Sequence, residues 1–289
     1  MTLVLVAVVL LFWGVAGIFD KKAVSVGGHQ SVFTVFQLFN LPVLVVMFAL
    51  LTSVYGQWHL DGGLFFWEGL NAVSALAAML AYFYAMSKAQ ASYIIGITAG
   101  YPVLGKLLAM LILGEAFSAW GIAGAALVSV GVAAIGFSKD NETVNLAGKE
   151  SWKVIAAIAV STVLWALLGI FEKKALQYGR PLEAYTVLTG WKSLLALLYL
   201  FFSAKSLSLR QATIWKFSWS SALLVTLGNL AFIFALAAAD AGYVIVMTAA
   251  YPLVMYLAAI FWLKERLLAV RALGIALIVF GCALSELCR

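Results

Sequence analysis

Charge is scarce in this chain. Of its 289 residues only 10% are Asp, Glu, Lys or Arg, against 65% that are apolar. That ratio excludes a soluble globular protein, whose core could not hide so much apolar surface, whereas lipid can solvate it. Histidine and cysteine are scarcer still, at two each. Cys282 and Cys288 lie together at the C-terminal end with no metal spacing, and His29 and His59 are isolated loop residues. No metal centre or disulfide framework is expected, and no cofactor. There is no Walker A sequence and no GxGxxG opening a helix after a strand, which argues against an ATP-driven pump, and no HExxH or paired-His metal spacing.

What remains is a succession of long apolar runs. A bilayer core takes roughly 20 apolar residues per helix, so ten spans use some 200 residues and leave no separate soluble domain. Runs bounded by polar or Gly/Pro clusters predict spans over 2–19, 32–54, 64–86, 92–113 and 119–137, then 154–171, 184–203, 217–238, 242–263 and 268–286. The first run lacks a basic start and a cleavage site, so it reads as a retained span. The net charge of +6 comes from Lys and Arg at span ends, where they anchor topology. It is not a nucleic-acid footprint.

The chain repeats itself. WGVAGIFDKKA (13–23) matches WALLGIFEKKA (165–175) at an offset of 152, and 81–115 matches 231–265 at an offset of 150 with 14 identities in 35 positions. Tyr93/Tyr243, Thr98/Thr248, Tyr101-Pro102/Tyr251-Pro252 and Glu115/Glu265 all coincide. Copies with five spans each, joined by a short loop, must cross the membrane in opposite directions. The expected fold is therefore all-α: a polytopic membrane protein of ten transmembrane helices in two inverted five-helix repeats, 1–137 and 154–289, with a polar linker over 138–153. Inverted repeats are a recurrent plan of secondary transporters, with the site where the halves meet.

The sequence resembles the ten-helix branch of the drug/metabolite transporter superfamily, with two EamA-type domains. The resemblance rests on Trp13-Gly14 with Gly17, Trp165 with Gly169, the prolines of spans four and nine, and the turns GEAFSAWG and KERLLAVR. It implies a carrier or exporter of small metabolites with a central cavity lined by spans 1, 3, 4, 6, 8 and 9, and both termini in the cytoplasm. The charges point the other way: 12 Lys and Arg fall in the odd-numbered loops and four in the even loops and termini, which favours termini outside. An integral protein of a bacterial-type cytoplasmic membrane is expected in either case.

The site candidates follow from polar groups at membrane depth. Pro102 and Pro252 deprive the carbonyls of Thr98 and Thr248 of their helical donors, which makes polar notches beside Tyr101 and Tyr251; a plain packing kink is the alternative. Lys106 shares a face with Pro102 and Thr98, and an ammonium inside a span costs at least about 2.5 kcal/mol unless it finds a partner or a cavity. It is the candidate for holding a substrate carboxylate, with snorkelling as the alternative, and Lys192 reads as a lipid-facing snorkeler. Glu68 is the proton-coupling candidate. Asp20 and Glu172 read as boundary anchors, and Glu115 and Glu265 as complements to the N-termini of spans five and ten. Trp13, Trp165 and Asn229 complete the candidate site, and Tyr82, Tyr84 and Tyr243 suit a ring-bearing or amphipathic substrate. The small-residue spans five and ten suit close packing between helices, or between copies in a homodimer.

The reading is a secondary carrier of a small molecule, surrounded by lipid. A non-transporting scaffold would lack an internal cavity and satisfy Lys106. A lipid-modifying enzyme would need a cluster of His, Asp or Glu at one interface, and none is visible.

Overall fold

The computed structural model describes residues 1–58, 61–89, 94, 98, 100–136, 150–203, 209, 211–254, 256–257 and 269–287. His59, Tyr93, Glu265, Cys288 and most of the 138–153 linker lie outside them. The described elements are α1 Thr2–Val26, α2 His29–Leu38, α3 Asn40–Tyr55, α4 Gly62–Lys88, α5 Tyr101–Leu113, α6 Ala119–Gly136, α7 Glu150–Ala175, α8 Pro181–Ser203, α9 Ala212–Ala238, α10 Ala241–Thr248 and α11 Ala269–Leu287. No strand occurs among the described residues. Helices are what lipid permits, since they pair their own backbone groups. Eight helices, taking α2 and α3 together, are long and apolar enough to cross a membrane, and the regions 101–113 and 241–254 form shorter apolar helices.

Proline sets the interruptions. Pro181 opens α8 at the position where its missing N–H costs nothing. Pro42 cannot donate to Leu38, and the second span divides there into α2 and α3, a break not expected from the apolar run. Asn40 Nδ2 covers the gap by donating to the Gln37 carbonyl (2.8 Å) and to Gln37 Oε1 (3.0 Å). Spans four and nine were expected as single helices, with polar notches at their prolines or, as the alternative, a plain kink; each shows a turn among its described residues, at Gly100 and at Ala249-Ala250. Tyr101-Pro102 begins α5, and α10 stops at Thr248, with a turn at Ala249-Ala250 before helix resumes at Tyr251.

The halves exchange partners as an inverted repeat requires. α1 packs along α9 and α7 along α4, with α6 on α11 and α3 on α8. The α1–α9 pair is antiparallel: Trp13 meets Asn229 while Asp20 meets Ser221. Its mate repeats this, with Phe171 beside Trp67 and Ser161 donating to the Ala78 carbonyl. Two lysines close the symmetry. Lys21 donates to the carbonyls of Met86 and Ala89, and Lys173 to those of Leu236 and Ala239. Each ammonium thus caps the C-terminus of the third span of its own repeat, where free carbonyls and the helix dipole favour a cation.

α6 and α11 meet backbone to backbone. A Cβ on Gly131 would stand 2.6 Å from the Gly274 carbonyl oxygen, and one on Gly124 2.8 Å from that of Gly281. The reciprocal contacts are 2.7 Å each. The small-residue faces expected of these spans are therefore spent on each other within the chain.

Candidate functional site

Between the repeats lies a cavity of about 190 Å³. Its waist is aromatic. Trp13 packs on Phe232 (centroids 5.3 Å apart) and edge-on to Tyr251 (6.2 Å), and its Nε1 donates to Asn229 Oδ1 at 3.1 Å. The pseudo-symmetric pair is Trp165 on Tyr82 at 5.1 Å. α9 can bring the Trp13 indole this close only because Gly228 has no Cβ: one would sit 2.5 Å from Cδ1. Gly14 likewise lets α1 reach the Tyr251 carbonyl, 2.9 Å from where its Cβ would be.

Beyond the waist are two polar poles, and the repeat relates them. At one pole Asp20 accepts from Ser221 Oγ (2.6 Å), and Gln37 and Asn40 also line the wall. At the other, Glu172, Asn71 and Lys192 line it, with Glu68 just behind accepting from Asn71 Nδ2 at 3.1 Å. Glu172 corresponds to Asp20, Asn71 to Ser221, Glu68 to Ser218 and Lys192 to Asn40 under the offsets of 150 and 152. The second pole thus replaces hydroxyl and amide groups by an extra acid and a cation.

Six candidates share the cavity wall: Trp13, Tyr101, Trp165, Asn229, Thr248 and Tyr251. Thr98 is a buried helical residue outside the lining, and the Thr248 hydroxyl bonds back to the Val244 carbonyl (2.8 Å). Lys106, the candidate for holding a substrate carboxylate, is not among the residues that line the cavity. It is 8% exposed and lies 3.5 Å from Glu115, away from the cavity. Glu115 in turn accepts from the backbone N–H groups of Ala241 (2.6 Å) and Gly242 (3.1 Å). That carboxylate does complement a helix N-terminus, but of α10 across the repeat boundary, not of the following helix. Tyr84 and Tyr243 are outside the cavity as well. Tyr84 stands edge-on to His29, and the Tyr243 hydroxyl donates to Glu286.

Among the described residues the cation that lines the cavity is Lys192, read from sequence as lipid-facing, and the carboxylates are Asp20 and Glu172, read as anchors. The available signal was the repeat itself. An acid retained at one matched position in both halves is held by the symmetric core, whereas its nearness to a span end suggested the interface. Lys106→Met is expected to leave ligand binding at the cavity unchanged and to lower stability by about 1–2 kcal/mol through the lost partner of Glu115. A thermal melt and a binding titration separate the two effects.

These features define a polytopic membrane protein with a cavity at the interface of two inverted repeats. The chain belongs to the EamA-like transporter family, whose model matches residues 1–137 and 152–287. This is a family of membrane transporters and not an enzyme family. One solved crystal structure of a protein shares the fold, with a TM-score of 0.78 at 16% sequence identity, covering 99% of this chain and 96% of the other. No curated protein matches it in a sequence search.

Proposed function

We propose that the chain is a secondary carrier that moves a small ring-bearing or amphipathic metabolite by alternating access. The observation that carries this reading is the central cavity, which both repeats line through pseudo-symmetric aromatic and polar groups. The repeats 1–137 and 154–289 are the rocking units, with 138–153 as their linker, and the broken spans around Tyr101-Pro102 and Tyr251-Pro252 provide the articulation. Trp13 and Trp165 hold the apolar body of the substrate, and Asn229 and the poles hold its polar ends. A substrate carboxylate is held by Lys192, the role earlier given to Lys106. Because most cations lie in the odd-numbered loops, the termini face outside the cytoplasm.

The scaffold alternative predicted no cavity and a satisfied Lys106; the cavity speaks against it, and Lys106 is satisfied for a reason of its own. A thermal-shift screen of metabolites on the purified protein identifies ligands, since a compound that binds the folded state raises its stability. Saturable flux of a hit into proteoliposomes, lost in Asn229→Leu, is the expected result. A hit with no flux above protein-free vesicles defeats the carrier reading.

A further inference from the structure

Glu68 is entirely buried and Glu172 is 5% exposed. Each keeps one carboxylate oxygen, Oε1, without any hydrogen-bond donor. Glu172 and Lys192 line the same cavity pole as Asn71, whose amide donates to Glu68, and the three charged groups act on one another electrostatically. One ammonium cannot neutralise two carboxylates, and a bare anion buried at membrane depth with a free lone pair is costly. No other cation among the described residues is directed here. Lys173, next to Glu172, is turned to the end of α9, and Arg180 pairs with Glu183 (2.6 Å). On α1 Lys21 is turned to the end of α4, and Asp20 lies at the opposite pole with Ser221. From α8 the phenol of Tyr185 donates to the Thr226 carbonyl (3.3 Å).

We propose that Glu68, Glu172 and Lys192 form one proton-binding unit, in which the two carboxyls carry a single exchangeable proton and the other acid stays ionised against Lys192. The unit is then neutral, and the proton supplies the donor that the orphaned oxygens lack. It opens on the cavity through Glu172 and Lys192, so a ligand ammonium or carboxylate arriving at this pole changes the charge balance and displaces or retains the proton. The proposal rests on the carrier reading only in naming its coupling ion. Repeat symmetry shows why the unit sits at one pole: Ser218 and Asn40 stand where Glu68 and Lys192 would have their mates.

Dicyclohexylcarbodiimide tests it on the full-length protein in liposomes. The reagent takes the proton of a carboxylic acid onto its nitrogen while the carboxylate oxygen bonds its central carbon, so it marks protonated buried acids. Peptide mass spectrometry at neutral pH is expected to find one equivalent of adduct shared between Glu68 and Glu172. Glu68→Gln leaves Glu172 balanced by Lys192, and its labelling is lost; Glu172→Gln likewise silences Glu68. Lys192→Met removes the counter-charge, and labelling rises to two equivalents. The carboxylic-acid C=O band in infrared spectra follows the same pattern, a reading free of reagent access. Labelling of Glu172 that persists in Glu68→Gln, or an unchanged infrared band in both glutamine variants, overturns the proposal. Saturable flux with the wrong labelling pattern refutes only the proton unit. The expected pattern without flux refutes only the carrier.

Discussion

Gly131→Leu is expected to remove the folded protein from detergent extracts or, where some survives, to lower its unfolding free energy by about 3 kcal/mol or more. The glycine faces a carbonyl oxygen of α11 at 2.6 Å from where its Cβ would be, and the Ile278 backbone nitrogen at 2.9 Å. Both obstacles are main chain, and main chain cannot rotate out of the way as a side chain does. Helix α11 would have to move outward along its length, which also separates Gly124 from Gly281. Overpacking in a core costs about 1–3 kcal/mol even where side chains yield, and in lipid the contact has no hydrophobic drive to restore it. Gly121→Ala is the control, because its nearest neighbours are the Ser118 hydroxyl and a Lys106 methylene at 3.2 Å and beyond. Size-exclusion monodispersity and a thermal melt read both. Equal stability of Gly131→Leu and wild type would exclude the close α6–α11 packing described above.

Trp13→Ala is expected to weaken binding of any cavity ligand by at least about tenfold, more than any other aromatic truncation in the waist. The indole is held by three interactions at once: its N–H to Asn229, its face against Phe232 and its edge toward Tyr251. Trp165, its counterpart, faces Tyr82, and Met79 stands where the repeat would place an Asn229 equivalent. Trp165→Ala is therefore expected to cost less affinity. Trp13→Phe keeps the apolar wall and removes the N–H, and so divides packing from hydrogen bonding. A titration of ligand by thermal shift across the three variants checks the order. Trp13→Ala equal to Trp165→Ala in effect would show that the asymmetry at Asn229 does not matter.

Particular residues show what sequence reading can place on the cavity wall of such a chain. The aromatic and Tyr-Pro candidates were found because rare residue types recurring at one offset are visible without coordinates. The placement of Lys106 against Glu115 and of Lys192 on the cavity wall was not legible in the sequence, for a physical reason. Both are lysines inside apolar helices, and a uniformly apolar helix offers no amphipathic periodicity to tell its lipid face from its cavity face. The partner of Lys106 is Glu115, only nine residues on, but it reaches Lys106 through a turn built on Gly114 at φ 71°. The breaks at Leu38–Phe39 and Ala249-Ala250 follow from Pro42 and Pro252, yet a proline can kink a span or divide it, and packing chooses between them.

Sequence alone determined the solvent, the helical class, the two inverted copies and most of the aromatic waist. These depend on composition, run length and repetition, which are properties of the chain itself. Tertiary structure alone decided which charged groups meet. Glu68, Glu172 and Lys192 come from three helices and two repeats, and Asp20 and Ser221 at the other pole come from two helices, one in each repeat. In lipid every span is apolar all round, so only the packing of one against another reveals which face holds the site.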